Sequence, residues 1–170
     1  LQPDGQTKME LVGVSVQAYK EAQQYLTEDN LLASADHLSS LMHLSRMMEY
    51  KVPVQGGESL DSSDFAEELQ EIQGDPAYLP RLTFRAENNL YNGDDQKKSQ
   101  VFWDYNQLAT LKGPETINNP AFRTQFVQAT IEHLNYLKGS NQTGELQSRM
   151  NYIRYAFPQI MNDPLISSFQ

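Results

Sequence analysis

Apolar residues recur every three or four positions along most of the chain, which is the spacing of one face of an α-helix. The pattern predicts seven helices, over residues 8–26, 29–51, 61–73, 98–112, 120–137, 144–157 and 164–169. Local signals support several boundaries. Asn119 is a preferred N-cap, and Pro120 after it suits a first helical position. Pro53 ends the second helix, because the residue before a proline is disfavoured in the helical conformation.

These elements predict an all-α fold, a helical bundle of about four main helices with one or two short ones, in a single domain over 1–170. The short link between the first two helices favours an antiparallel, up-and-down pair. Residues 1–7 and 53–60 are expected to be irregular. The segment 81–98 is ambiguous, because it begins with a strand-like alternation but also has a helical spacing. The helical alternative depends on Leu82, Ala86 and Leu90, and the strand alternative is a hairpin reaching residue 104.

Charge is unevenly distributed along this acidic chain, which has 170 residues, a net charge of −9 and a pI of about 4.7. Residues 1–80 have a net charge of −10, whereas residues 81–170 have a net charge of +1. Without clustered Lys and Arg the chain has no phosphate-binding surface, so we expect no nucleic-acid partner. No apolar run approaches the roughly 20 residues that a membrane helix needs, so we expect no membrane-spanning segment.

Cysteine is absent, which excludes disulfides, thiolate metal sites and cysteine nucleophiles. The chain starts at Leu1 without an apolar leader in view. We expect a periplasmic or secreted protein, with a cytoplasmic one as the alternative.

Motifs that carry chemistry are also missing. The chain has no G-x-S-x-G, no S-x-x-K and no glycine-rich phosphate loop. We therefore predict that the protein is not an enzyme and uses no cofactor. A site assembled from scattered carboxylates and tyrosines stays an alternative, because groups that meet in space need no fixed spacing.

One pair of residues has the chemistry of a soft-metal site. His43 and Met47 are four positions apart on a predicted helix, so they share a face, and imidazole with thioether suits Cu(I). The alternative function is therefore a metal- or small-ligand-binding helical bundle of the cell envelope. Methionine is also an ordinary core residue, which is the competing explanation.

Aromatic residues and arginines predict an interaction surface. The only tryptophan, Trp103, lies about a third of a turn from the apolar stripe of its helix, so the ring can be exposed. Two tyrosines of the 144–157 helix are three positions apart with arginines nearby, and Trp, Tyr and Arg dominate interface hot spots. The predicted surface consists of Trp103, Tyr105, Arg149, Tyr152 and Tyr155. We accordingly expect a non-enzymatic interaction, assembly or sensor module with a protein partner.

Overall fold

A computed structural model describes residues 31–48, 52–53, 59–60 and 62–169, with side chains for 31–40, Met42 and 65–169. Helices dominate this part of the chain, which confirms the predicted all-α class. Within it, no helix combines the length and apolar character needed to cross a bilayer. The predictions for residues 1–30 lie outside the described residues, including the first helix and its up-and-down pairing with the second.

The chain divides into two compact units, Leu1–Arg81 and Leu82–Gln170. The predicted single domain over 1–170 stays a prediction. In the first unit, helix α1 spans Leu31–Met48, and helix α2 spans Ser62–Gln73. The two helices pack against each other. Their buried apolar side chains repeat at helical spacing: Leu31, Ala35 and Leu38 on α1, and Phe65, Leu69 and Ile72 on α2.

The predicted irregular segment 53–60 contains paired backbone at both ends, which corrects the prediction for these residues. Strands β1 (Val52–Pro53) and β2 (Ser59–Leu60) form an antiparallel pair in which Val52 lies opposite Leu60. A pair only two residues long is held by backbone hydrogen bonds. It is too short to give a spacing of apolar side chains that would predict it from the sequence.

The ambiguous segment is helical, and the alternative hairpin is wrong. Helix α3 spans Tyr78–Asn92, and helix α4 spans Asp95–Lys112. Pro80 does not interrupt α3, because it lies in the first turn, where a backbone N–H has no partner within the helix. Asp94 begins α4 as its N-cap, with its carboxylate accepting a hydrogen bond from the Lys97 backbone N–H at 2.9 Å.

The second unit is arranged around one long helix. A 3₁₀ turn at Pro114–Asn118 leads into helix α5, Pro120–Gly139, and α6 follows at Thr143–Ala156. Two short helices complete the described chain, α7 at Pro158–Met161 and α8 at Pro164–Ser167. Helix α5 contacts α4, the 3₁₀ turn and each of the three helices that follow it. It therefore forms the centre of this unit.

The aromatic core of the unit surrounds Phe126 of α5, whose ring is fully buried. The Phe157 ring lies 5.0 Å away edge-on, and three other rings lie at about 6 Å, namely Phe102, Tyr105 and Phe122. Edge-to-face and offset arrangements are favourable for aromatic pairs in addition to the area they bury. This packing orients the inner faces of α4, α5 and α6 and so determines which side chains remain outside.

Candidate protein-interaction surface

Trp103 lies at the boundary between the core and the surface of α4. Its neighbour Phe102 is completely buried, whereas Trp103 is 42 % exposed. The two rings meet edge-on at 5.0 Å between centroids. One residue of rotation along a helix turns the side chain by about 100°, which accounts for the difference between them. The indole is therefore anchored on one side and open on the other.

Tyr105 is not part of any surface, which corrects its place in the predicted interaction set. It is 1 % exposed, and its hydroxyl donates a hydrogen bond to Gln125 Oε1 at 3.3 Å. Burial raises the pKa of Tyr105, and the negative charge of Glu87 acts in the same direction. The cause is its register, because position 105 follows the buried Phe102 by three and so faces inward with it.

Arg149 of α6 packs against the indole and leaves it partly exposed. The Cζ atom of its guanidinium lies 4.3 Å from the centroid of the Trp103 ring, which is a cation–π distance. The Tyr152 ring, also on α6, lies 6.3 Å from the Trp103 ring between centroids. The Tyr152 hydroxyl accepts a hydrogen bond from Asn106 Nδ2 at 2.8 Å, which joins α6 to α4 directly.

Tyr155 follows Tyr152 by three positions on α6 and is 90 % exposed. The set Trp103, Arg149, Tyr152 and Tyr155 is called the Trp103 face below. Arg154 lies on the same helix, but its guanidinium donates a hydrogen bond to Asn151 Oδ1 at 2.9 Å. It points away from Arg149, because five positions along a helix correspond to about 140° of rotation.

His133 of α5 lies beneath the indole and is 5 % exposed. Its ring stacks on Phe102 at 4.8 Å and meets Trp103 edge-on at 5.8 Å. The Nδ1 atom lies 2.9 Å from the carbonyl oxygen of Ser99, which can only accept, so Nδ1 carries the proton and donates. Burial lowers the pKa of His133 to about 4, and the positive charge of Arg149 acts in the same direction. The imidazole is therefore neutral at pH 7.

The Arg149 guanidinium is poorly compensated in its surroundings. Its side chain is 20 % exposed, and its Nε atom is buried without a hydrogen-bond partner in the described part of the chain. The nearest acid is Glu145, with Oε2 at 3.7 Å from Arg149 Nη2, which is longer than a hydrogen bond. Burial lowers the pKa of Arg149, while Glu145 acts in the opposite direction. The arginine therefore stays charged but lacks a close acceptor.

Three residues that support the Trp103 face were not in the predicted set: Ser99, Asn106 and His133. The signal for the first two is present in the sequence, because Ser99, Trp103 and Asn106 follow the helical spacing of one face of α4. Nothing in the pattern of α5 distinguishes His133 from a boundary histidine. Its role depends on the arrangement of three helices.

The two metal-ligand candidates lie in α1, where His43 and Met47 are four positions apart. Their side chains are outside the described ones, so the predicted soft-metal site stays a prediction. Among the side chains that are described, no group of three or more His, Asp or Glu residues is arranged to hold a metal ion.

A concave surface lies between α5 and α8. It is a groove of about 560 Å³ with apolar contributions from Val127, Ile131 and Leu165. Leu165 is 63 % exposed. Arg123 also lines the groove, but its guanidinium already donates hydrogen bonds to the carbonyl oxygens of Ile117 and Asn118. The groove thus combines aliphatic side chains with polar and charged ones, among them Glu132 and Asp163.

No family model, curated protein or solved structure matches the chain. In the described part of the second unit, exposed aromatic rings occur on the Trp103 face and on α3, at Phe84 and Tyr91, and grooves lie beside Leu165 and beside Tyr136.

Proposed function

We propose that this chain is a non-enzymatic protein-interaction module that binds its partner through the Trp103 face. The observation that carries the proposal is the exposure of the Trp103 and Tyr152 rings beside Arg149, with the exposed Tyr155 ring following about one turn further along α6. Trp103 is 42 %, Tyr152 37 % and Tyr155 90 % exposed. Complete burial of a large apolar side chain yields about 1.5–3 kcal/mol, and the exposed part of each ring forgoes a corresponding fraction of it. A partner that covers them would recover part of this free energy.

The composition of the face favours it over the groove beside Leu165. Trp, Tyr and Arg are the residue types enriched among interface hot spots, whereas Leu and Val are under-represented there. The groove presents aliphatic side chains, two carboxylates and an arginine that is already hydrogen-bonded. The Trp103 face presents rings together with an arginine that lacks a close acceptor.

Three contacts restrain the face before any partner binds. Trp103 is held between His133 and Arg149, and the hydrogen bond from Asn106 restrains Tyr152. Immobilising a free side chain on binding costs about 0.5–1.5 kcal/mol, so restrained side chains lose less. Tyr155 is left as the most exposed ring, and we expect it to make the first contact.

Site-specific cross-linking tests this function. A photoreactive benzophenone amino acid replaces Tyr155 in the full chain, which is expressed in its native cells and irradiated. We expect one discrete product, identified by mass spectrometry, that disappears when the same chain also carries Trp103→Ala. Circular dichroism of the Trp103→Ala chain verifies that its helices are retained.

The matched control places the same amino acid at Leu165, on the groove. No product is expected there, because the groove is not the proposed surface. A product at Leu165 with none at Tyr155 would overturn the proposal. A Tyr155 product that persists in the Trp103→Ala chain would do the same, because contact there would not involve the Trp103 face.

The location proposed for the module is the periplasm or the outside of the cell, with the cytoplasm as the alternative. A chain without cysteine has no thiol that an oxidising compartment could modify, which is compatible with export. Fractionation of cells expressing the full-length gene is expected to recover the protein outside the cytoplasm, and recovery in the cytoplasm alone would contradict this.

A further inference from the structure

Arg149 is the one charged residue of the Trp103 face, and its positive charge has little compensation. Its guanidinium lies over Trp103, with Cζ 4.3 Å from the ring centroid. Its Nε–H has no acceptor within the described part of the chain, and Glu145 stays at 3.7 Å. Leaving a buried donor unsatisfied costs about 1–3 kcal/mol, and more for a charged group. The Nε atom itself is inaccessible, so an acceptor supplied by a partner would compensate the positive charge through the Nη groups of this 20 % exposed side chain.

The geometry favours a planar, singly charged acceptor. A guanidinium presents its N–H groups in a fixed fork that matches the two oxygens of a carboxylate. A polyanion such as nucleic acid requires several cations along its backbone. The face offers one, with Glu145 (62 % exposed side chain) beside it, and the chain has a net charge of −9. These charges disfavour a nucleic acid or a phosphate cluster.

The rings determine what must accompany the carboxylate. Tyr152 and Tyr155 extend the face along α6, three positions apart, with Tyr155 almost entirely in solvent. An apolar side chain next to the carboxylate would lie over these rings while the carboxylate meets Arg149. The charged and the apolar contact then come from neighbouring residues of one chain.

We propose that Arg149 binds an Asp or Glu carboxylate of a polypeptide partner and that Tyr152 and Tyr155 receive an adjacent apolar side chain. This inference rests on the proposed function and names the chemistry of the partner. The partner segment carries one or two acids flanked by apolar residues. It is not a polyacidic tail, which Glu145 and the net charge of the chain would repel.

Tryptophan fluorescence tests the inference directly, because Trp103 is the only tryptophan of the chain. The probes are two blocked hexapeptides, GLEFEG and GLQFQG, which have the same shape and differ only in charge. We expect GLEFEG to change the Trp103 emission with half-saturation on the order of 1 mM, as befits a short segment. GLQFQG is expected to bind at least about tenfold more weakly. A tenfold difference in affinity corresponds to about 1.4 kcal/mol, the loss expected for one charge-assisted contact.

Two arginines of α6 provide a matched pair of variants. Arg149→Gln is expected to remove the difference between the two peptides, and Arg149→Lys to weaken GLEFEG binding while keeping some of that difference. Arg154→Gln removes an arginine that Asn151 already binds, so GLEFEG affinity is expected to stay within about twofold. Thermal unfolding of each variant verifies that the fold is intact.

Several outcomes would overturn the inference. They are equal binding of both peptides, no saturable response to either, or an equal loss of binding in Arg149→Gln and Arg154→Gln. Tighter binding of inorganic phosphate or a thymidine oligonucleotide would assign the face to another class of partner. The cross-link at Tyr155 separates the two proposals. If it forms while the peptides fail, only the carboxylate chemistry is wrong, and if it is absent, the interaction function itself fails.

Discussion

His133, beneath the Trp103 face, and Arg149, within it, each leave part of their hydrogen-bonding capacity unused. Each has a nitrogen atom, His133 Nε2 and Arg149 Nε, that is buried without a partner in the described part of the chain. In its neutral form the imidazole uses Nδ1 to donate to the Ser99 carbonyl oxygen. A proton on Nε2 would add a buried donor and a second positive charge beside Arg149. Protonation therefore opposes the packing that holds Trp103.

Acid is expected to destabilise the protein through His133. Its pKa is about 4 in the folded state and 6.5 in an unperturbed histidine, so between these values the unfolded chain binds the additional proton. This contribution to stability is complete above about pH 6.5 and is lost as the pH falls toward 4. The full loss is about 3 kcal/mol. Urea unfolding between these pH values measures it.

His133→Asn should flatten this pH dependence, because an amide can still donate to Ser99 without titrating. An unchanged slope in His133→Asn would show that another group causes the acid sensitivity.

Trp103 fluorescence is expected to report a half-covered indole. The emission maximum should lie between those of a buried and a fully exposed indole, because the ring is 42 % exposed. Arg149→Ala removes the guanidinium from the ring, so the emission should shift to longer wavelength and acrylamide quenching should increase. Arg154→Ala is the control and is expected to change neither. A blue, quencher-resistant emission from the unaltered chain would make Trp103 a core residue.

The ends of the helices follow from local chemistry. The Asn119 side chain accepts hydrogen bonds from the backbone N–H groups of Ala121 and Phe122, at 3.0 and 3.3 Å. Gly113 ends α4 with a φ of 100°, a conformation that other residues rarely adopt. Helix α5 continues through Gly139, and the left-handed residue after it is Asn141, with a φ of 57°. Asparagine tolerates this conformation better than most side chains.

Gly93, between α3 and α4, should not tolerate a side chain. A Cβ atom there would lie 2.5 Å from the Asn89 carbonyl oxygen and 2.9 Å from the Lys97 Cβ. We expect Gly93→Ala to lower the free energy of unfolding by about 1–3 kcal/mol, as for other forced contacts. Chemical denaturation measures the change.

Gly144, in the first turn of α6, provides the matched control because a Cβ atom there meets nothing within 4 Å. Gly144→Ala is expected to be neutral or to stabilise by up to about 1 kcal/mol through helix propensity. Equal effects of the two substitutions would contradict the close approach of α3 and α4 at Gly93.

The second unit as a whole depends on α5, since α4, α6 and the two short C-terminal helices all contact it. Its aromatic core joins α4 to α6 through the Phe126 ring. Lys138, near the end of α5, lies over the Phe169 ring at 5.4 Å from its centroid. Packing on one central helix makes the position of the Trp103 face sensitive to changes in this core.

Phe126→Ala is expected to lower the free energy of unfolding by about 3–5 kcal/mol, as for a large aromatic side chain lost from a core. Phe84 is the matched control because it is 73 % exposed, and Phe84→Ala should change stability by less than about 0.5 kcal/mol. Urea denaturation followed by circular dichroism compares the two. A loss below about 1 kcal/mol for Phe126→Ala would contradict its central place in the core.

Local physics explains which features of this fold were predictable. The spacing of apolar residues predicted α1, α2, α4, α5 and α6 close to their observed bounds. Caps and prolines act within one turn, so Asn119 and Pro120 located the start of α5 correctly. Where local signals conflict, as at Pro80, packing of Leu82, Ala86 and Leu90 determined that α3 is a helix. The short β1–β2 pair has no such signal.

The candidate surface was predictable only in part, for a related reason. Helical geometry places Trp103 off the apolar stripe and places Tyr152 and Tyr155 near one another, and both follow from spacing alone. The same geometry turns Tyr105 inward, which the predicted set overlooked. The stacking of Arg149 on Trp103, and of His133 beneath it, joins residues of three helices. Such contacts depend on how α4, α5 and α6 pack. Residues far apart in the chain have no regular sequence spacing from which a contact between them could be predicted.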